Sequence, residues 1–205
     1  MASILLVCTG NICRSPTAEG VLRAILERRF GSRAPSVASA GTIAREPAPV
    51  LEETRRAAAE LGVDVAGHRA RRLRPDDLEA ADLVIGMAKE HRDAVVLLSR
   101  STSARAFTLK ELVGLLERLP HATGRVDDPR ETLRQRVAEA DRLRRSGFER
   151  LADGDVADPM GLSLDAFRAV AAEVDEWCSR LVDGLFGSPE PVDVVGDRAG
   201  GGADA

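Results

Sequence analysis

Apolar residues recur along this chain in two rhythms. Ile4–Val7 and Leu83–Met87 are short unbroken apolar runs, the pattern of strands buried on both faces, and Ser36–Ala40 and Arg105–Thr108 read as two further strands. Between them the spacing changes to three and four. Ala18, Val21, Leu22, Ile25, Leu26 and Phe30 line one face of a helix that starts near Arg14, with Pro16 in its first turn and Gly31 at its end. Periodicity and stop signals predict helices over Pro49–Leu61, closed by Gly62, over Pro75–Ala81 and over Lys89–Leu98. A last amphipathic helix, Leu164–Leu185, carries Phe167, Val170, Val174, Cys178, Leu181 and Leu185 on its buried side. Such alternation predicts an α/β fold: three layers, doubly wound, a four-stranded parallel sheet with helices on both faces.

From residue 120 to about residue 155 the pattern changes. HATGRVDDP reads as a loop, and ETLRQRVAEADRLRRSGFERL as a highly charged helical stretch with few apolar positions, an insertion expected to pack loosely on the rim. Residues 187–205 are rich in Gly, Pro and Asp, the composition of a disordered tail. The expected organisation is one domain over residues 1–186, interrupted by that mainly helical insertion.

Composition narrows the classes. Acidic residues outnumber basic ones, the net charge is -4, and the two signs are interleaved, which gives no footprint for nucleic acid. No apolar run approaches the ~20 residues that cross a bilayer, and the N-terminus lacks the charged and apolar regions of a signal peptide, so no membrane insertion is expected. Three cysteines are too few for a secreted disulfide framework, which points to a reducing cytoplasm. No His, Cys and Asp residues stand at metal-ligand spacing, and no cofactor is expected.

The chemistry concentrates between the first strand and the first helix. Cys8, Thr9, Gly10, Asn11, Ile12, Cys13, Arg14 and Ser15 form a turn that leads into a helix N-terminus. Successive backbone N–H groups in such a turn can surround a tetrahedral anion, and the helix dipole adds partial positive charge. Gly10 and Asn11 tolerate the positive φ that tight curling requires. Five residues between Cys8 and Arg14 let the loop circle a phosphate, so that the guanidinium can return as a bidentate fork. A cysteine in an apolar strand is ordinarily a small buried hydrophobe. At the floor of a cradle of donors, however, thiolate is favoured over thiol and stands in line to attack phosphorus. Ser15 is placed to donate to the sulfur when it leaves.

The segment VCTGNICRSPTAEG resembles the phosphate-binding loop of the low-molecular-weight protein-tyrosine-phosphatases, of the form C-x-x-N-x-C-R-S-P. SAGT at Ser39–Thr42, GHRARRL around His68, DLVIGM ending at Met87 and DPMG at Asp158–Gly161 extend the resemblance over most of residues 3–118 and 155–186. It implies phosphomonoester hydrolysis through a phosphocysteine, on a phosphotyrosine protein or a small phosphate ester. It also implies that Asn11, Ser39 and His68 form a hydrogen-bonded net under the loop. For Cys13 it implies a reversible disulfide with Cys8, beside the plainer role of offering an N–H to the phosphate.

Hydrolysis needs a proton donor for the leaving oxygen and then a base for water. Two Asp-Pro pairs compete, Asp128-Pro129 and Asp158-Pro159. Asp158 precedes Gly161 and the long last helix, as in the acid loop of the family, and is the expected acid. The chain also departs from the family. IAREPAPV after the second strand and DPMGLS after Val156-Ala157 lack the aromatic rings that grip a phenol in several members, and Ala88 stands where a family acid follows Met87. Two alternatives stay open. Arsenate reduction on the same fold is disfavoured by ICRSP and by the absence of central cysteines. A non-catalytic oxyanion- or partner-binding module leaves Cys8, Arg14 and Asp158 without a purpose. The sequence does not fix the oligomeric state.

Overall fold

A computed structural model of the chain describes residues 3–122, 126–147 and 154–188. Four strands, β1 (Ser3–Cys8), β2 (Ser36–Gly41), β3 (Leu83–Gly86) and β4 (Ala106–Thr108), form one parallel sheet in the order β2-β1-β3-β4. The register sets Cys8 beside Gly41 and Val7 beside Gly86, so three strands end at one level. The chain winds to either side of β1, and the strand ends around it open a crevice, the switch point at which open α/β sheets hold their ligands.

Alternation along β1 explains the layers. Ile4, Leu6 and Cys8 face a core shared with α1 (Arg14–Phe30), α5 (Leu109–Leu116), α6 (Pro129–Arg145) and α7 (Leu164–Phe186). Leu5 and Val7 face the opposite side, where Leu78 of α3 (Pro75–Ala80) and Val95 of α4 (Lys89–Leu98) cover them. The remaining helix, α2 (Glu52–Glu60), packs against α7. The α/β sandwich with a four-stranded parallel sheet is therefore as expected, with boundaries shifted by up to three residues. The second helix starts at Glu52 rather than Pro49. None of the described helices is long and apolar enough to cross a membrane.

Two expectations are corrected. The expected elements leave out Leu109–Leu116, yet it forms α5 directly off the end of β4. Its signal is a capping box: Thr108 Oγ1 accepts from Glu111 N at 3.2 Å, and Glu111 Oε2 accepts from Thr108 N at 3.1 Å. The charged stretch is not a loose rim element. Leu133, Val137 and Ala140 of α6 are buried in the main core, and Arg136 donates to the carbonyls of Pro120 and Gly184. Three small contacts per two turns suffice, because burying a Leu or Val side chain contributes roughly 1.5–3 kcal/mol. The proposed continuation of this helix through residues 148–151 and the tail from residue 189 lie outside the described residues.

Asp128 starts α6 as its N-cap, accepting from Arg130 N at 2.9 Å and Glu131 N at 3.3 Å. Asp128→Ala is expected to lower the unfolding free energy by about 1 kcal/mol in urea titrations, with catalytic turnover unchanged.

Candidate active site

The loop after β1 curls because one residue takes a left-handed conformation. Asn11 has φ 55, whereas Gly10 does not need positive φ, so the freedom expected of the glycine is used by the asparagine. Asn11 is fully buried and its polar groups all find partners. Its Nδ2 donates to Ser15 Oγ at 3.0 Å and to Ser39 Oγ at 2.8 Å, and its Oδ1 accepts from Arg71 N at 3.0 Å. His68 Nε2 lies 3.0 Å from the Asn11 carbonyl, and since a carbonyl only accepts, that nitrogen carries the proton. A buried polar group left unmatched costs about 1–3 kcal/mol, so this net holds the turn in one shape.

Cys8 is buried at the floor of the turn. Asn11 N donates to its Sγ at 3.2 Å, and Ser15 Oγ stands 3.0 Å away. Because Asn11 Nδ2 already donates to that hydroxyl, the Ser15 proton is free for the sulfur. The close fit requires glycine at position 41. A Cβ there would come within 2.6 Å of the Thr9 carbonyl oxygen and 3.0 Å of Asn11 N. Without it, Thr42 N reaches the Cys8 carbonyl at 2.9 Å and Ile43 N the Thr9 carbonyl at 3.0 Å.

Arg14, in the first turn of α1, is also buried. Its Nη1 donates to the Val156 carbonyl at 3.3 Å, and its Nη2 to Thr9 Oγ1 at 3.3 Å and to Asp158 Oδ2 at 2.7 Å. The segment bearing Asp158 is pinned to the sheet by Val156 N on the Met87 carbonyl at 2.8 Å. Asp158 is 46% exposed and turns its second oxygen to Met160 N at 3.1 Å. The structure thus brings together Cys8, Arg14 and Asp158, with Asn11, Ser39 and His68 beneath them. Asp128, the competing Asp-Pro, is occupied in capping α6.

Cys13 lies in an apolar cluster with Ala57, Phe167 and Ala171, and burial pushes its thiol up to about 12. Both it and Cys8 are unbonded, and the disulfide implied by resemblance is not formed. Cys178 is fully buried on α7, likewise held up to about 12 by burial. Among the described residues no group of three His, Cys, Asp or Glu side chains could hold a metal ion.

Sequence reasoning missed four supports. Glu19 Oε2 accepts from Ser39 Oγ at 2.6 Å and lies 3.7 Å from His68 Nδ1. Its signal was available, since Glu19 follows Ser15 by one helical turn and shares its face. Thr54 Oγ1 donates to the Ile12 carbonyl at 3.2 Å, tying α2 to the loop, and Arg71 offers only its backbone, which sequence does not mark. His91 is the fourth.

The pattern described as low molecular weight phosphotyrosine protein phosphatase matches residues 3–146. The chain belongs to that family. Cys8–Ser15, Ser39 and His68 lie inside the matched stretch and Asp158 beyond it. A protein-arginine-phosphatase of Geobacillus stearothermophilus is 29% identical over 184 residues, 89% of this chain and 95% of that protein. A probable low molecular weight protein-tyrosine-phosphatase of Erwinia amylovora, AmsI, is 39% identical over 103 residues, 50% of this chain and 67% of its own. The crystal structure of a low molecular weight protein tyrosine phosphatase from T. tengcongensis superposes with a TM-score of 0.66 at 31% identity, covering 89% of this chain and 99% of that one. The phosphatase is thus a hydrolase of this family, whose general route runs through a phosphocysteine.

Proposed function

We propose that this phosphatase hydrolyses phosphotyrosine in proteins, with Cys8 as nucleophile, Arg14 as phosphate clamp and Asp158 as acid and then base. The observation that carries the reading is the convergence of two donors on the Cys8 sulfur with an Arg14–Asp158 pair 2.7 Å apart above it. The N–H groups of Thr9, Gly10, Asn11, Ile12, Cys13 and Arg14 and the fork of Arg14 bind the phosphate oxygens. The Cys8 sulfur pair attacks phosphorus, the S–P bond forms and the ester P–O bond breaks. Asp158 gives its proton to the leaving oxygen. Asp158 then takes a proton from water, whose oxygen displaces the sulfur. Ser15 hydrogen-bonds the departing thiolate, and orthophosphate leaves. Ser39 and His68 act through Asn11. Residues 1–186 work as one unit, and three free cysteines suit a reducing cytoplasm.

The rim supports the substrate class. Ile43, 65% exposed, and Met160, 49% exposed, flank the loop and the Asp158 turn, with Leu162 beyond. Apolar contacts suit a phenol ring. A phosphoarginine guanidinium needs an acceptor besides the acid, and Glu46, in the loop after β2, is engaged by Arg72 N and Arg74. For arsenate reduction a second thiol of this chain would have to reach Cys8, and Cys13 and Cys178 are both buried in apolar clusters. In a panel of phosphotyrosine peptides, phosphoarginine peptides and arsenate, kcat/KM is expected to favour phosphotyrosine by about tenfold or more, the value of a few apolar contacts. Faster cleavage of phosphoarginine would overturn the substrate class and leave the chemistry at Cys8 standing.

A further inference from the structure

His91 is not used in the reaction above, yet it is one of the most buried polar side chains described, at 1% exposed. It sits in the first turn of α4, where Gly86 allows a close approach. A Cβ at Gly86 would come within 2.7 Å of Arg92 N and 3.2 Å of the His91 Cβ. The same turn is fastened to the segment carrying Asp158, because Lys89 N donates to Asp155 Oδ1 at 2.7 Å. From there His91 Nε2 reaches Thr9 Oγ1, in the phosphate loop, at 2.9 Å. That hydroxyl oxygen also accepts from Arg14 Nη2 at 3.3 Å.

The tautomer follows from what surrounds the ring. Nδ1 is buried without a hydrogen-bond partner. A neutral imidazole carries one N–H, and a buried N–H without an acceptor is the costlier orphan. The proton therefore belongs on Nε2, which donates to Thr9 Oγ1. With His91 and Arg14 both donating into that oxygen, the Thr9 hydroxyl proton must go to a third acceptor. A phosphate oxygen is the acceptor the reaction brings. Charging the ring would disturb this, and it is resisted: burial and the Arg14 guanidinium push the imidazole down to about 4 against the opposing pull of Asp155 and Asp158. The exposed Glu90, 3.4 Å from Nε2, is the remaining charge beside it.

We propose that His91 is a positioning residue for phosphate: its Nε2–H fixes Thr9 so that the Thr9 hydroxyl donates to the bound phosphate while bracing Arg14. This rests on the reading of the Cys8–Arg14 loop as the phosphate site. It acts through Thr9 and does not itself touch substrate.

The experiment separates the two readings by measuring inorganic phosphate binding calorimetrically in a Cys8→Ser background, where no turnover is required. His91→Leu, which removes the donor, is expected to weaken phosphate about tenfold, or about 1.4 kcal/mol. Thr9→Val should weaken it equally, and the double variant no further, since the two act as one unit. His91→Gln, which returns an N–H near the Nε2 position, should recover most of the affinity. With Cys8 present, His91→Leu should raise KM for p-nitrophenyl phosphate about tenfold with kcat within about twofold, the pattern of lost uniform binding. Unchanged phosphate affinity in His91→Leu, or losses that multiply in the double variant, would overturn the proposal. If His91→Leu does not fold, judged by circular dichroism, unchanged affinity in Thr9→Val overturns it instead.

Discussion

Replacing Cys8 by serine is expected to remove hydrolysis of p-nitrophenyl phosphate by a factor of at least about 10⁴ while leaving phosphate bound. The size follows from chemistry rather than shape. A serine hydroxyl fits where the thiol sits, and Asn11 N and the Ser15 hydroxyl, at 3.2 and 3.0 Å from the sulfur, can still donate to it. Those donors favour an anion, but a hydroxyl holds its proton far more tightly than a thiol, and Asp158 must carry its own proton to the leaving oxygen in this step, so it is not the base that would take it. His68, the nearest imidazole of the loop net, donates to the Asn11 carbonyl and faces Glu19, and His91 is bound to Thr9. The cradle made by the loop N–H groups, Arg14 and the α1 N-terminus does not depend on the sulfur, so phosphate affinity should persist. Initial rates with a chelator present, together with calorimetry against phosphate, give both halves of the result. Activity within about tenfold of wild type would sink the proposed nucleophile.

How much of this site was readable beforehand depends on whether a residue's partners are local. Cys8, Asn11, Arg14 and Ser15 lie within eight positions, between a strand and a helix, and that context alone implies an anion cradle. The layers were readable for the same reason: the unbroken apolar run of β1 declares a strand covered on both faces, and period three to four in α1 and α7 declares one buried face each. The misses are of two kinds. Leu109–Leu116 keeps the three-four spacing at Leu109, Leu112, Val113 and Leu116, but it is only eight residues long and follows β4 with no turn between, so the Thr108/Glu111 box is what marks its start. The α6 stretch looked too charged to be core, because the buried Arg136 and the half-buried Arg144 spend donors on backbone carbonyls, which sequence does not display. His91 and Glu19 reach the loop only through the fold. Nothing in the local sequence says that α4 begins beneath Thr9; the absent side chain at Gly86 does, and only once the strand register is known.

Asp158→Ala is expected to lower kcat by about 10²- to 10⁴-fold, and the loss should depend on the leaving group. p-Nitrophenolate is a stable anion near neutral pH and needs little proton help, whereas a tyrosine phenol, with a pKa near 10, departs poorly without an acid. The defect should therefore be larger with a phosphotyrosine peptide than with p-nitrophenyl phosphate, a contrast that a merely folded-state defect does not produce. Phosphate binding should hold or improve, because Arg14 loses the carboxylate that sits 2.7 Å from Nη2 and keeps its bond to the Val156 carbonyl. Asp128→Ala serves as the control, since its carboxylate is committed to Arg130 N and Glu131 N at the start of α6. Equal losses with both substrates would assign Asp158 to holding Arg14 rather than to proton transfer. A loss of turnover in Asp128→Ala with Asp158→Ala near wild type would move the acid to the other Asp-Pro pair. The separation is sharp because the two carboxylates lie on different elements with no shared partner, so their effects on kcat should be independent.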